Sequence, residues 1–477
     1  MKSSPDLDVF ICHRHDDAGA LAAKLHAYLN SNGARAFCDQ IDDPHHTLDD
    51  RIYDRIRTAA TFLVILTEGV IRSLAQNHSP IHRELSCAVK SGRRIAVVQV
   101  GQRSVLPPNL APALDEMIPR VHILASPPSA ATLRLITNSV VSTPIDLNAA
   151  VDGFDAPWPE VAAIMAGVRA TAMGEFDHAR LAESALRARL GGSSEHLMDR
   201  RITGRDLVDA CEDVTTGAAR ALMNRTLAVG LLTHVARPVP PGCAITDLRP
   251  LWPLLRSTIE GPTAVPARFV RSPQGFYAMP LMATLERGRI KEMLRLHVWP
   301  WHQREGDGDD RGQVALPVHP QRSNLFSVHS HQAHATSWVL AGQIENKTFS
   351  VVPTPHSLPE TESVSLFQLS PDDRRSYSIN RQQSPVRNTG RAAAATPECA
   401  ATLSAGQSYT VAAGEFHETT IDRETPAPPV SLFLFDATRG WDEDAAVIGP
   451  ATLNADLRPP ASRATPEEII DRLDAVL

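Results

Sequence analysis

The stretch that decides the fold of the N-terminal part is "DVFICHRHDDAGALAAKLHAYLNSNGARAFCDQ", residues 8–40. It begins with a short apolar run, and Leu21, Leu25 and Leu29 follow at helical spacing. Gly33 then stands where a helix typically ends. A second apolar run comes directly after it. The stretch therefore predicts a strand, a helix and another strand, in that order.

The same alternation continues to about residue 142. Three further apolar runs, "TFLVILT" (61–67), "RRIAVVQV" (93–100) and "RVHIL" (120–124), are separated by helical patterns. Continuous apolar strands between helices indicate a parallel sheet that is covered on both faces. We therefore predict a flavodoxin-like α/β fold with a five-stranded parallel sheet. In such folds ligands bind beyond the carboxyl ends of the strands.

These runs, together with "SPIHRELSCAVKSG" (79–92), resemble the Toll/interleukin-1 receptor (TIR) domain over about residues 7–142, and we predict this domain for residues 1–142. The resemblance implies one of two functions. Some members of the family only self-associate and recruit partners, whereas others cleave the nicotinamide glycosidic bond of NAD+ with a single glutamate. Position for position, that glutamate is Glu84. The segment "IDDPHHT" (41–47) corresponds to the loop that often mediates self-assembly.

A carboxylate suits this reaction because cleavage passes through an oxocarbenium-like ribose, whose positive charge it stabilises. We expect Glu84 to be catalytic. The competing interpretation is that Glu84, at the border of the apolar stripe of its helix, is simply solvated. Polar residues just after the strands are expected to contact NAD+, namely His13, Arg14, Asp39 and Thr67. His45 and His46 are interpreted as surface residues.

The middle of the chain differs in composition. Residues 143–158, "TPIDLNAAVDGFDAPW", mix Pro, Gly and Asp without periodicity and are predicted to be a linker. Residues 159–263 are rich in Ala, Leu and Arg at spacings of three and four, which predicts a helical connecting region. This region holds no catalytic or binding motif, and a structural or dimerising role is expected for it.

Residues 264–446 contain many short β-type segments broken by Pro, Gly and Asp, which predicts an all-β sandwich or small barrel. "HSHQAHATSWVLAG" (329–342) and "GQSYTVAAGEFHET" (406–419) resemble the two motifs of the cupins, which have a double-stranded β-helix (jelly-roll) fold. Residues 372–398 are predicted to be a mobile loop between the motifs. Residues 447–477 are predicted to be a tail with a short helix.

His329 and His331 are two residues apart in a predicted strand, so their imidazoles should project to the same side. The cupin resemblance adds His417 as a third ligand, while His334 is off this parity and is predicted to be a loop residue. The usual glutamate ligand of the family falls at Ala335 or Thr336. Three imidazoles suit Fe, Zn, Ni or Cu. A metal-free pocket that binds an organic ligand stays open as the alternative.

Bulk properties narrow the function classes. A net charge of −7 over 477 residues gives no reason to expect nucleic-acid binding. The six cysteines are scattered singly, and no long apolar run indicates export or a membrane span, so a cytoplasmic protein is expected.

Together these features predict an NAD+ hydrolase (NADase), possibly also cyclising its product, whose TIR domain is controlled by a ligand- or metal-binding cupin sensor. An oligomer assembled through the TIR domain, an unknown small-molecule or protein trigger and a bacterial antiviral defence or toxin role are expected. The first alternative is a non-catalytic TIR scaffold for signalling, and the second is a dioxygenase-like cupin metalloenzyme.

Overall fold

The computed structural model describes most of the chain, and in the described part no helix is both long and apolar enough to cross a lipid bilayer. The described residues are 7–42, 50–76, 79–101, 120–124, 128–140, 142–172, 176–191, 197–214, 217–236, 245–259, 270–272, 276–286, 289–299, 327–354, 364–369, 386–421 and 429–451. His45 and His46, most of the predicted assembly loop and the predicted C-terminal helix lie outside them.

The N-terminal part alternates strands and helices in the order that the apolar pattern predicts. Its strands are β1 (Leu7–Cys12), β2 (Ala36–Phe37), β3 (Ala59–Leu66), β4 (Arg94–Val100) and β5 (Arg120–Ile123). Its helices are α1 (His15–Ser31), α2 (Asp39–Asp42), α3 (Asp50–Thr58), α4 (Glu68–Leu74), α5 (Pro80–Lys90) and α6 (Ala130–Val140). The five strands pair in the order β2-β1-β3-β4-β5 and every pair is parallel, which confirms the predicted sheet.

Both faces of this sheet are covered because alternate residues of each strand point to opposite sides. Val9 and Ile11 of β1 pack with Leu25 of α1 in one core cluster. Phe10 belongs to a second cluster, with Ile56 of α3. Polar residues, among them His13 and Thr67, follow the carboxyl ends of the strands.

The middle of the chain is mostly helical, as predicted. It contains α7 (Leu147–Gly153), α8 (Trp158–Thr171), α9 (Phe176–Leu190), α10 (Gly204–Asp213), α11 (Gly217–Ala236) and α12 (Trp252–Arg256). The predicted linker itself carries α7 and two short strands, β6 (Ser142–Pro144) and β7 (Asp155–Pro157). These pair with β9 (Ile245–Asp247) and β8 (Arg201–Thr203), so the segment is tied to the helical region.

The C-terminal part consists of antiparallel strands in two sheets. One sheet has the order β10-β11-β12-β19-β13-β17, and the other contains β18, β14, β16, β15 and β20. The bounds are β10 (Val270–Arg271), β11 (Tyr277–Glu286), β12 (Arg289–Val298), β13 (Ala333–Ala341), β14 (Gln343–Pro353), β15 (Val364–Leu369), β16 (Val386–Ser404), β17 (Ser408–Val411), β18 (Phe416–Thr420), β19 (Val430–Trp441) and β20 (Ala446–Pro450).

The six-stranded sheet lies between two layers. Its Leu294 and Leu432 pack on the helical region, whereas Val339 and Phe433 face the other β-sheet. Gly167 lets α8 approach β11 closely, since a Cβ there would lie 3.0 Å from the Ala283 carbonyl oxygen. The helical region is therefore a cover for one face of the β structure, which gives the structural role expected for it a physical basis.

The sequence pattern does not predict that the N- and C-terminal sheets are continuous. β16 pairs antiparallel with the edge strand β5, with Cys399 opposite Ile123 and Ala401 opposite Val121. The Leu124 amide extends this ladder by donating to the Glu398 carbonyl oxygen at 2.9 Å. One edge of the parallel sheet is thereby covered by the C-terminal part.

Three local predictions in the C-terminal part were wrong. Residues 386–398, assigned to a mobile loop, form the first part of β16, which pairs with β15 up to Ala393 and with β14 from Ala393 onward. His334 is a buried residue of β13 rather than a loop residue. His329 and His331 precede β13 and are not in a regular strand, although His329 forms isolated bridges with His417 and Val447.

Candidate functional site

Glu84 is buried beneath the carboxyl edge of the parallel sheet. Helix α5 begins as the sequence predicts, with Ser79 as its N-cap and Pro80 in its first turn. Ile81, Leu85 and Ala88 form the buried face, and Glu84 lies with them at 8% exposure. The interpretation of Glu84 as a solvated border residue is therefore wrong for this helix.

Cys12, the last residue of β1, is the hydrogen-bonding neighbour of Glu84. Burial raises the pKa of Glu84 to about 7, while the hydrogen bond from the Cys12 thiol lowers the pKa and the negative charge of Asp39 raises it. Burial also raises the pKa of Cys12 well above that of a free thiol, with Glu84 adding to the effect. The thiol therefore stays protonated and acts as a donor to the carboxylate.

The residues predicted to contact NAD+ lie around the same edge but differ in exposure. The His13 side chain is buried, whereas 40% of the Arg14 side chain is exposed, and Arg14 pairs with Asp17 at 3.2 Å. Thr67 caps α4 and its hydroxyl donates to Asp17 at 2.8 Å. Asp39 begins α2, with Oδ1 3.9 Å from His13 Nδ1. The structure thus brings all four residues to the carboxyl ends of β1, β2 and β3.

A second candidate site lies between the two C-terminal sheets. His329, His331 and His417 each offer a ring nitrogen, and these atoms all lie within 4.8 Å of one another. Nε2 of His331 is 2.9 Å from Nε2 of His417. Two ligands at right angles on a metal with bonds of about 2.1 Å would be about 3 Å apart. The spacing therefore fits two nitrogens that share one ion.

Contacts on the far side of the rings fix which nitrogen faces inward. His417 Nδ1 bonds to Asn346 Oδ1 at 2.9 Å, and His329 Nδ1 bonds to the Ser327 carbonyl oxygen at 2.8 Å. Because both oxygens are acceptors, each Nδ1 carries the proton and each Nε2 keeps its lone pair. This is the arrangement in which imidazole ligates a metal.

Burial also keeps these rings neutral. It lowers the pKa of His329 to about 4, opposed by the hydrogen bond to the Ser327 carbonyl oxygen. Burial is again the main cause for His331 and His417, whose pKa values are well below the ordinary value, and the positive charges of neighbouring histidines lower them further. Neutral imidazoles are ready to bind a metal without first losing a proton.

The acidic ligand typical of cupins is missing. In β13, Ala335 is paired with Phe435 and Ser337 with Phe433. Because Phe433 and Phe435 contact the His331 ring, this register indicates that Ala335 faces the histidines and Thr336 faces away. Within the described residues, the histidine cluster includes no carboxylate. The donor set is therefore three neutral nitrogens.

Several residues at the two sites were not found from the sequence. Cys12 and Asn346 contact the key side chains, and His297 of β12 stacks between Phe276 and Phe433 with its Nε2 buried and unpartnered. In β14 the charged residues Glu345 and Lys347 alternate with Asn346, and this sequence pattern could have marked Asn346 as inward-facing. No local signal identifies His297, since its neighbours come from β19 and from residue 276.

Comparisons with known proteins identify the N-terminal region. Residues 9–122 match the family model described as a TIR domain. The chain carries an N-terminal TIR domain. At the level of the family this indicates an NAD-related or signalling function.

Among solved structures, the chain is similar to the TIR domain of a Toll-related receptor from Hydra magnipapillata, at 20% identity over 22% of this chain and 78% of that one, with a TM-score of 0.19. It is also similar to a TIR-STING receptor from C. gigas, at 16% identity over 36% of this chain and 51% of that one, with a TM-score of 0.24. Oxalate decarboxylase of Bacillus subtilis is 13% identical over 38% of this chain and 33% of its own, with a TM-score of 0.17.

The TIR domain and the histidine cluster are connected by direct contacts. One row of paired residues crosses the shared sheet from the cluster to the central strands, and it consists of His417, Thr348, Cys399, Ile123 and Val100. Beside this row, Arg134 of α6 forms an ion pair with Glu415, and the Asn138 amide donates to the Thr410 hydroxyl at 2.9 Å. A change at His417 is thus two residues from a contact with the TIR domain.

Proposed function

We propose that the TIR domain is an NADase that cleaves the nicotinamide glycosidic bond of NAD+ with Glu84 as its catalytic residue. The observation that carries this proposal is the burial of Glu84 against Cys12 at the carboxyl edge of the sheet. Burying a carboxylate costs free energy, which raises its pKa. Such a perturbed carboxyl group in the ligand-binding region of an α/β fold is typical of a functional site.

In the proposed reaction the bond between the ribose C1 and the nicotinamide nitrogen breaks, and both bonding electrons leave with neutral nicotinamide. The ionised Glu84 stabilises the positive charge that develops on the ribose and accepts hydrogen bonds from its hydroxyls. Water then adds to C1 and releases one proton, which gives ADP-ribose. If an adenine nitrogen of the same molecule attacks C1 in place of water, the product is cyclic ADP-ribose.

The other edge residues have separate roles in this proposal. Arg14 is a cation with much of its side chain exposed, so it can bind the pyrophosphate of the dinucleotide. Asp39 and the backbone around Thr67 provide hydrogen bonds for the riboses, and the buried His13 side chain lies behind Asp39, with Nδ1 3.9 Å from its Oδ1. Gly69 keeps this region open for Arg14 and Asp17, since a Cβ there would lie 1.8 Å from Asp17 Oδ2.

We propose that the C-terminal part is a cupin-like sensor that controls the TIR domain. His329, His331 and His417 would hold a divalent transition metal such as Fe, Zn, Ni or Cu, which supplies a Lewis-acidic coordination position for a ligand. Asn346 orients the His417 ring and Ser327 orients the His329 ring, and the burial of the cluster limits the access of water. The shared sheet and the pair of Arg134 with Glu415 are physical contacts through which binding could change the TIR domain.

The setting that fits this proposal is a bacterial defence or toxin effector in the cytoplasm. NAD+ depletion harms the cell itself, so the resting chain should be nearly inactive. Assembly through residues 41–47 and a small-molecule or protein trigger would activate it. Nucleic acid and membranes are not proposed as partners.

The test is release of free nicotinamide from NAD+ by the purified full-length chain over a range of protein concentrations and with a crowding agent. We expect a specific rate that rises with protein concentration, because assembly completes the active site. If no nicotinamide forms at any concentration, the non-catalytic scaffold is favoured and the enzymatic proposal is wrong.

The three inward-facing nitrogens also favour a second candidate, in which the cupin-like part is itself a dioxygenase-like metalloenzyme and the TIR domain recruits it to a partner. Elemental analysis of the purified chain tests whether this candidate has the metal that it requires. Less than about one transition-metal ion per ten chains would count heavily against this candidate, because catalytic metals are held tightly by three imidazoles.

A further inference from the structure

The carboxyl edge of the TIR sheet contains a second group of metal-ligating side chains. Ring nitrogens of His13 and His15 and a carboxylate oxygen of Asp39 all lie within 4.8 Å of one another. His15 Nε2 is 3.4 Å from Asp39 Oδ2, and His13 Nδ1 is 3.9 Å from Asp39 Oδ1. The two carboxylate oxygens thus face two different imidazoles, so all three side chains direct ligand atoms toward one another.

Each of these three residues lies at the end of a strand or the start of a helix, which fixes its backbone position. His13 follows the last residue of β1, His15 is the first residue of α1, and Asp39 is the first residue of α2. The side chains also grade from inside to outside, with exposed fractions of 0% for His13, 29% for Asp39 and 55% for His15. An ion can therefore enter from solvent on the His15 side and be held by a buried ligand.

The donor set favours a borderline transition metal over Ca²⁺ or Mg²⁺. Two imidazoles and one carboxylate match common Zn²⁺ ligation, whereas Ca²⁺ and Mg²⁺ require mostly oxygen ligands. The Cys38 sulfur lies 3.9 Å from His13 Nδ1 and places a soft donor on the buried side of the group. Ligand type therefore selects an ion of the zinc class.

We propose that His13, His15 and Asp39 form a site for a zinc-class divalent cation, and that the bound ion inhibits the TIR domain by occupying the edge at which NAD+ binds. The inhibitory part of this inference rests on the proposed NADase function. Asp39 would be a ligand of the ion in one state and a substrate contact in the other, so the ion and NAD+ compete. This site is separate from the histidine cluster of the C-terminal part.

The site is tested by binding of Zn²⁺ alone, followed by competition with a chromophoric chelator. The wild-type chain is expected to bind about two equivalents, one at each cluster. His15→Ala should lose one of them or bind it about tenfold or more weakly, and Asp39→Asn should weaken the same equivalent. His15 is largely exposed, so its replacement should leave the fold intact. His82→Ala, which replaces a histidine of α5 outside the group, is the matched control and should bind like wild type.

Activity then tests the inhibitory part. Zn²⁺ should suppress nicotinamide release by the wild-type chain and the His82→Ala variant but much less by His15→Ala. If His15→Ala binds Zn²⁺ with unchanged stoichiometry and affinity, the site is disproved whatever the activity shows. If the His15-dependent equivalent is present but no variant releases nicotinamide, the metal site stands and the NADase proposal and the inhibition fall together.

Discussion

Burial favours the neutral form of the key side chain at both candidate sites, but the consequences for their proposed roles are opposite. Burial raises the pKa of Glu84 to about 7 and lowers that of His329 to about 4, and in both cases the neutral form is favoured. Neutrality is what an imidazole needs to ligate a metal, but it removes the charge by which a carboxylate stabilises a cation. The same physical effect therefore favours metal binding by the histidine cluster and lowers the fraction of Glu84 that is ionised.

The comparison implies that Glu84 acts mainly through its charge, and removing that charge should give the largest effect. Glu84→Gln keeps the size of the side chain and removes the carboxylate. We expect nicotinamide release to fall by about 100-fold or more, the usual cost of deleting an electrostatic stabiliser. The measurement is initial rate at saturating NAD+, with folding checked by circular dichroism.

Glu68→Gln is the matched control for this substitution. Glu68 lies at the start of α4, close in sequence to Thr67, but its side chain is exposed. Its rate should stay within about twofold of wild type, as for ordinary surface substitutions. Equal losses in the two variants, or an unchanged rate in Glu84→Gln, would contradict the assignment.

Metal binding by the histidine cluster is expected to depend on Asn346, which orients His417. Asn346→Ala removes the acceptor for the His417 Nδ1 proton. Loss of such a supporting contact typically weakens metal binding by about 10- to 100-fold. Competition with a chelator measures the change. Lys347→Ala, the next residue of β14 and partly exposed, should bind metal like wild type; a similar weakening there would show that the effect is not specific to Asn346.

The raised pKa of Glu84 also predicts the pH profile of the TIR site. Since the ionised form is the active one, the rate should be highest well above pH 7 and fall about tenfold for each pH unit below it. Cys12→Ala removes the hydrogen bond that lowers this pKa, so the midpoint should move to higher pH. A profile that is flat from pH 5 to 8 would show that Glu84 is not the titrating catalytic group.

The parallel sheet could be predicted from the sequence because each of its strands is a continuous apolar run, and the alternation with helices leaves one arrangement. The edge residues His13, Arg14, Asp39 and Thr67 followed from the same rule, since strand ends meet at one edge. Burial of Glu84 could not be predicted from helical periodicity, because Val89, which stands at helical spacing from Leu85, is exposed and the buried face is rotated toward Glu84.

The C-terminal β-sheets were harder to predict for a different reason. His329, His331 and His417 are close in space, but His417 is brought in by pairing between β14 and β18. Such long-range pairing leaves only short motifs in the sequence. The strand β16 was missed because its Ala- and Arg-rich segment has no strand pattern of its own, and its neighbours β14, β15 and β5 provide the hydrogen bonds that keep it extended. Tertiary contacts decided that segment.

The smallest predicted effect concerns communication between the two sites. Arg134 and Glu415 form a largely buried ion pair between α6 and the residue two positions before His417. If metal binding to the histidine cluster affects the TIR domain through this contact, Arg134→Met should reduce the ratio of nicotinamide release with and without added metal. Coupling carried by one contact is about 1 kcal/mol, which corresponds to a fivefold change in that ratio.

Arg289→Met is the control, because it breaks an exposed ion pair with Glu443 elsewhere in the C-terminal part and should leave the ratio unchanged. Because the shared strand pair β5–β16 would remain in Arg134→Met, a ratio equal to that of wild type would assign the coupling to the sheet and remove Arg134 from it.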